Sequence, residues 1–303
     1  LEGCRGTMLR QGTCGWTDAT LLKCKKFYPQ SVIQSGELLS HYSRTPFFSC
    51  VEVDSSAYAI PSVSMVRLWC KQVPLGFLIH MKAFSIFTAQ SVPLTSIPRV
   101  VRESSSFIEF NKTRASSSQK TTASELPPDC LQGIWNRFNE VCLEVFSESK
   151  LGFVVFQFQL SFKPCEESKL HVLECRKKLD ARFDMAVEFR DRNWFSESFL
   201  SWTKEFLAAN NIVLVLCDDL KHEVYLNSNV CAEEREILPI PLLVSAPSKG
   251  VYIRLHRRQG TQRVISQQEI ADWVVRLQTI TSENSLQGVS TILLLVVPDQ
   301  LVA

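Results

Sequence analysis

The stretch MAVEFRDRNWF (Met185–Phe195) decides the fold. Its first half is apolar and β-prone. Side chains alternate between faces along an extended strand, so Glu188 and Arg190 share one face while Val187 and Phe189 share the other. Opposite charges at the end of an apolar strand need partners or a ligand, because burying an ion alone costs several kcal/mol.

The same pattern recurs along the chain. Strand-like runs occur at Gly12–Gly15, Cys50–Ser55, Phe77–Lys82, Gly152–Phe158, Met185–Arg190, Ile212–Asp218, Val251–His256 and Thr291–Val297. Between them lie residues spaced by three and four, as on one face of a helix: Val63, Val66, Cys70 and Val73; Ile134, Phe138, Val141 and Val145; Phe199, Trp202, Phe206 and Ala209; Ile270, Trp273, Val274 and Leu277. Ser266 and Glu269 have capping-box spacing ahead of the last set. Strands alternating with helices over this length predict a (β/α)8 TIM-barrel-like α/β domain over residues 12–297, a fold of typically about 250 residues. An open doubly wound sheet is the alternative, but no Gly-rich phosphate turn of the G-x-G-x-x-G or G-x-x-x-x-G-K-[ST] type occurs. The Ser/Thr-rich stretch Arg102–Cys130 interrupts the rhythm and reads as a long loop insertion. After the last strand only PDQLVA (Pro298–Ala303) follows, which leaves a barrel incomplete at its C-terminus as the alternative to a closed one.

Composition narrows the function classes. The chain has 303 residues, 45% of them hydrophobic, enough for a sizeable core, and its formal charge of +2 gives no global basic excess that would recommend nucleic acid. Its 11 cysteines are an odd number without a C-x-x-C pair, and Cys50, Cys70, Cys142 and Cys217 lie inside apolar runs. This suits reduced, partly buried thiols better than a disulfide framework or zinc knuckle. No apolar run approaches the ~20 residues of a membrane helix, so a soluble protein without a membrane partner is expected. The chain begins at Leu1, which leaves room for an upstream targeting segment. The cytoplasm is the default compartment, and the sequence does not fix localisation.

In a barrel, active sites gather at the C-terminal ends of the strands. There the second strand offers Glu52 and Asp54, the third His80 and Lys82, the fourth Gln157 and Gln159, the fifth Glu188 and Arg190, the sixth Asp218, and the seventh Arg254 and His256. The intervening Val53, Met81, Phe158, Phe189 and Leu255 would face the helices. Trp16, Tyr58 and Trp194 follow three of the strands and are candidates for stacking on a base or sugar.

Several blocks also carry a family resemblance: GTCGWTD at Gly12, FYP at Phe27, VEVDSSAYAIP at Val51, GFLIHMKA at Gly76, LGFVVFQFQLSF at Leu151, AVEFRDRNWF at Ala186 and VYIRLHRR at Val251. In order, they resemble the motifs of the YecE-like family, domain of unknown function seventy-two, which implies a TIM-barrel-like fold and brings no established reaction. The family usually has serine at Cys14 and asparagine at Asp54.

Read from the residues, a mouth holding Lys82, Arg190 and Arg254 suits an anionic ligand. The expectation is an enzyme acting on a phosphorylated or other anionic substrate, a phosphoester hydrolase being the specific form. Glu52, Glu188 and His256 are the acid/base candidates, and His80 could share that role. Trp16, Asp54, Tyr58, His80, Lys82, Gln157, Arg190, Trp194, Asp218 and Arg254 would bind substrate. No cofactor is expected. A divalent metal on His80, His256, Glu52, Glu188 and Asp218 is the variant reading, without H-x-H or H-E-x-x-H spacing to support it. The alternative class is a non-catalytic module for an anionic small molecule or nucleic-acid fragment, for which RLHRRQGTQR (Arg254–Arg263) adds a basic patch.

Overall fold

The computed structural model describes residues 8–18, 21–22, 26–114, 119–220, 235–237, 245–246, 249–255, 267–285 and 291–296. Along the chain these form β1 (Met8–Thr13), α1 (Gln30–Ser35), α2 (Leu38–Arg44), β2 (Cys50–Val53), α3 (Val63–Gln72), β3 (Leu78–Lys82), β4 (Val92–Pro93), α4 (Arg99–Arg102), α5 (Ser105–Lys112) and β5 (Lys120–Thr121). There follow α6 (Pro128–Ser147), β6 (Leu151–Phe158), α7 (Glu166–Lys178), β7 (Asp184–Phe189), α8 (Leu200–Ala209), β8 (Val213–Leu220), β9 (Arg235–Ile237), β10 (Val251–Leu255), α9 (Gln267–Ser285) and β11 (Thr291–Val296). Each strand expected from the sequence has a counterpart within a few residues. Contacts divide the chain into two compact units, one of Leu1–Glu52 with Lys204–Ala303 and the other of Val53–Thr203.

In the first unit the parallel ladder runs β8, β10, β11, β1, β2, with β9 antiparallel to β8. Every residue of β2 and β10 is buried, as expected for parallel strands covered on both faces. Gly12 sits opposite Cys50, and a Cβ there would lie 2.1 Å from the Cys50 carbonyl oxygen, so only glycine lets these strands approach. Tyr42 of α2 ties the same strands together. Its hydroxyl accepts the Thr13 N–H at 2.8 Å and donates to the Cys50 carbonyl at 3.3 Å.

In the second unit β3, β6 and β7 form a parallel ladder, and β4 pairs with β5 as a short antiparallel ribbon. Two helices of this unit arise where the spacing placed them. Ser62 caps α3 by accepting the Met65 N–H at 3.1 Å, and α3 buries Val66, Trp69 and Cys70. Pro128 opens α6, whose missing N–H costs nothing in a first turn. This helix buries Ile134, Phe138, Val141 and Val145 together with Trp135, which stacks on Phe87 at 3.6 Å between ring centroids.

Two expectations are corrected. The stretch Arg102–Cys130 is not one long loop: it contains α5 and β5. Ser104 caps α5 by accepting the Phe107 N–H, and buried Phe107 anchors the helix, so one serine of the run serves a helix start and a single aromatic replaces a periodic face. In α9 the buried residues include Trp273 and Ile280, whereas Ile270 and Val274 are exposed, so the helix is turned from the face expected. It begins at Gln267; Ser266, the cap expected for it, lies outside the described residues. Cys50, Cys70, Cys142 and Cys217 are buried, as their apolar setting suggested. Among the described residues no helix is long and apolar enough to cross a membrane.

Candidate functional site

In the first unit Glu52 is the centre of a buried polar cluster. β2 delivers it with no solvent exposure, and its two oxygens have different partners. The Tyr252 hydroxyl donates to Oε2, and Arg254 Nη2 donates to Oε1 at 3.1 Å. Both donors come from the same face of β10, two residues apart. The same Arg254 nitrogen lies 3.2 Å from the Sγ of half-buried Cys14, just past the end of β1. Burial, reinforced by the charge of Glu52, raises the Tyr252 pKa well above the ordinary phenol value, so this hydroxyl remains a donor. Burial likewise pushes the Cys50 thiol up to about 12.

Asp218 does not join this cluster, contrary to expectation. In the parallel ladder it pairs with Leu255, while Arg254 pairs with Cys217, so Asp218 projects on the opposite face from Arg254. There it accepts the indole N–H of Trp273 at 2.8 Å and ties β8 to α9. The strand-end rule counted residues correctly but missed the one-residue offset that flips the face. Trp16 is half-buried, and its carbonyl accepts the Tyr28 hydroxyl at 2.6 Å. His256 lies outside the described residues.

In the second unit a comparable group stands on β3, β6 and β7. Gln157 and Glu188 are paired across the β6–β7 ladder, and the Gln157 amide donates to Glu188 Oε1 at 2.8 Å. Arg190, just beyond β7, places its Nε 2.7 Å from the same oxygen. Glu188 is fully buried and Arg190 is half-buried. Lys82 pairs with Val155 in the β3–β6 ladder and Val155 with Ala186, so Lys82, Gln157 and Glu188 project from one face. Lys82 also reaches Asp54 at 3.1 Å. His80 is fully buried, and its Nδ1 accepts the Phe153 N–H at 2.9 Å. Gln159 lies past the strand and is exposed, so β6 contributes Gln157 alone.

The two aromatic candidates of this unit part ways. Tyr58 is 73% exposed. Trp194 has no exposure, and its ring lies 3.9 Å from that of Phe189 at 3° interplanar angle, with Phe162 and Trp202 also stacked around it. Its Nε1 donates to the Phe162 carbonyl at 2.8 Å. Trp194 is a core residue rather than a ligand platform, because its ring is enclosed by other rings.

A family model described as "Protein of unknown function DUF72" matches residues 10–295. The chain belongs to the DUF72 family. It is 24% identical over 212 residues to the UPF0759 protein YunF of Bacillus subtilis (strain 168), an alignment covering 70% of this chain and 61% of YunF, so the chain spans less than two thirds of that relative's length. A crystal structure of a DUF72 family protein from Enterococcus faecalis V583 is similar with TM-score 0.66 at 19% identity, covering 96% of this chain and 90% of that one. Another, from Thermotoga maritima MSB8, has TM-score 0.61 at 17% identity and covers 97% and 95%. These likenesses bear out the TIM-barrel-like α/β fold and the family read from the sequence motifs. They supply the DUF72 chain with no reaction or substrate.

Several contributors to the polar clusters of this DUF72 protein went unread in the sequence. Tyr252 stands two residues before Arg254, so the same alternation that placed Arg254 could have found it. Ser56 donates to the Lys82 carbonyl at 2.6 Å and to the Val53 carbonyl at 2.6 Å, fixing the turn after β2. Buried Asp191 accepts the Asn193 N–H at 2.7 Å and pairs with Lys163. Asp-x-Asn is an ordinary turn signal, and the partner Lys163 is remote in sequence.

Proposed function

We propose that this protein is an enzyme acting on a phosphorylated or other anionic substrate by acid/base chemistry. In the second unit Glu188 is the acid/base group of this reading, Arg190 attracts the anion, since a guanidinium presents several N–H donors to phosphate or carboxylate oxygens, and Lys82 and Gln157 orient it. In the first unit Glu52 and Arg254 form the corresponding pair, taken by itself. The observation that supports the reading is the pairing of each fully buried glutamate with an arginine at the end of a parallel strand, Glu52 with Arg254 and Glu188 with Arg190. A core needing only stability could be filled with aliphatic side chains at no greater cost. A second reading, capture of a nucleotide or nucleic-acid fragment without turnover, is favoured by the exposed ring of Tyr58.

The test is a thermal-shift panel of inorganic phosphate, sugar phosphates, nucleotides, a short single-stranded oligonucleotide and divalent metal ions. A ligand at about 100 times its Kd stabilises the native state by about 2.7 kcal/mol, a readable shift. Phosphorylated compounds are expected to raise the midpoint, and phosphate release from the compound that shifts most is expected to fall in Glu188→Gln. Retained binding with no turnover supports the second reading. A clean transition unmoved by every member refutes both.

A further inference from the structure

The β3–β6 ladder has an irregularity built around His80. Ile79 pairs with Leu151 and Met81 with Val154, so His80 alone faces two residues, Gly152 and Phe153. The ladder is regular on either side, with the Ile79 N–H donating to the Lys150 carbonyl at 2.7 Å and the Ala83 N–H to the Val155 carbonyl at 2.8 Å. Such a bulge is uncommon between parallel strands, and bulges of this kind re-aim side chains near functional sites.

Each extra residue has a definite relation to the imidazole. A Cβ on Gly152 would lie 2.3 Å from His80 Cε1 and 2.4 Å from Nδ1, so the ring occupies the space a side chain would take. The Phe153 N–H donates to Nδ1 at 2.9 Å, and the rings of His80 and Phe153 are nearly parallel at 6.1 Å. An Nδ1 that accepts an amide N–H carries no proton, which puts the ring proton on Nε2. Protonating Nδ1 would set two N–H groups against each other inside the sheet.

We propose that the β6 bulge fixes His80 as a neutral imidazole protonated on Nε2, a hydrogen-bond donor to negative charge on the face shared with Lys82, Gln157 and Glu188. His80 is then a donor to the bound anion and not the shared acid/base that the sequence suggested, because its basic nitrogen is consumed by the backbone. Gly152 and the Phe153 amide are the parts of the fold that hold it. The tautomer stands independently; its bearing on anion binding rests on the function proposed above.

The experiment is a long-range 1H–15N correlation spectrum of the full chain labelled at histidine nitrogen, with His80 assigned by its loss in His80→Asn. His41 and His171 are internal references, since the Nε2 of each faces a backbone carbonyl, at 3.0 and 2.8 Å. His80 is expected as the Nε2–H tautomer. The Nδ1–H tautomer, or an imidazolium at neutral pH, overturns the inference. Gly152→Ala is expected to shift the His80 nitrogens and speed exchange of the Phe153 amide by about fivefold or more, the equivalent of one net hydrogen bond of about 1 kcal/mol. Unchanged His80 nitrogens in that variant would also overturn it.

The donor role is read from phosphate binding. His80→Asn offers its amide oxygen in place of Nδ1 but no N–H at Nε2, and His80→Gln offers the reverse. Phosphate affinity is expected to fall about tenfold or more in His80→Asn, as for loss of a hydrogen bond to a charged group, and less in His80→Gln. Wild-type affinity in a folded His80→Asn refutes the donor role. A wild-type protein that ignores phosphate refutes the proposed function instead and leaves the tautomer measurement to decide the bulge.

Discussion

Arg254→Met tests most sharply whether the Glu52 cluster is a dry, charged core. Glu52 has no solvent exposure, Arg254 has 3%, and they are joined at 3.1 Å. Removing the guanidinium leaves the carboxylate buried with the Tyr252 hydroxyl as its remaining donor on β10. Breaking a buried pair from one side costs about 3–5 kcal/mol, because the surviving charge is uncompensated. At an unfolding entropy of about 2.1 cal/mol/K per residue, each kcal/mol shifts the midpoint of 303 residues unfolding together by about 1.6 °C, so the expected drop is about 5–8 °C. Adding Glu52→Gln removes the charge that Arg254 balanced while keeping an acceptor for Tyr252, and the double variant is expected to recover about 2 kcal/mol or more. The assay is calorimetry of wild type, both single variants and the double. An Arg254→Met midpoint within about 1 °C of wild type, or a double variant no better than that single variant, would show that water compensates Glu52 and would refute the reasoning.

Three further predictions concern the core and its titration. Burial raises the Cys50 thiol to about 12 and lifts Cys142, Cys175, Tyr28, Tyr42 and Tyr252 well above their ordinary values. These groups are neutral in the fold, so their contribution is intact below the unfolded values of about 8.5 for thiols and 10 for phenols and is lost as pH rises beyond them. Urea titrations between about pH 7 and 10.5 should show stability falling above about pH 8.5, with the phenolate absorbance of these tyrosines appearing only with unfolding; ionisation in the folded protein would contradict their burial. Trp194→Ala should cost about 3–5 kcal/mol and Trp194→Phe, which keeps the stack on Phe189 but loses the indole N–H, much less; equal costs by chemical denaturation would argue against the ring stack. Gly12→Ala should lower soluble yield and far-UV ellipticity sharply, because its Cβ meets the Cys50 carbonyl oxygen at 2.1 Å. A soluble variant with a wild-type midpoint would show that β1 and β2 can part without penalty.

Alternation along each strand was enough to set the strands, their order in the chain and the shared face of some strand-end residues. Glu188 and Arg190 are together as MAVEFRDRNWF implied, because a two-residue period is a local property of extended backbone. Helix faces such as Ile134, Phe138, Val141 and Val145 were legible for the same reason with a different period. The family motifs were legible too, as contiguous blocks. What the tertiary structure alone decided is everything that depends on register between strands and on partners remote in sequence. Asp218 leaves the cluster because it lies level with Leu255, and Trp194 becomes core because Phe162, Phe189 and Trp202 close around it. Tyr252 reaches Glu52 across 200 residues of chain. His80 gains its fixed tautomer from one extra residue in the opposing strand. Local periodicity constrains which way a side chain faces, but which atom it meets there depends on how two strands slide past each other, and that is fixed only when the whole core packs.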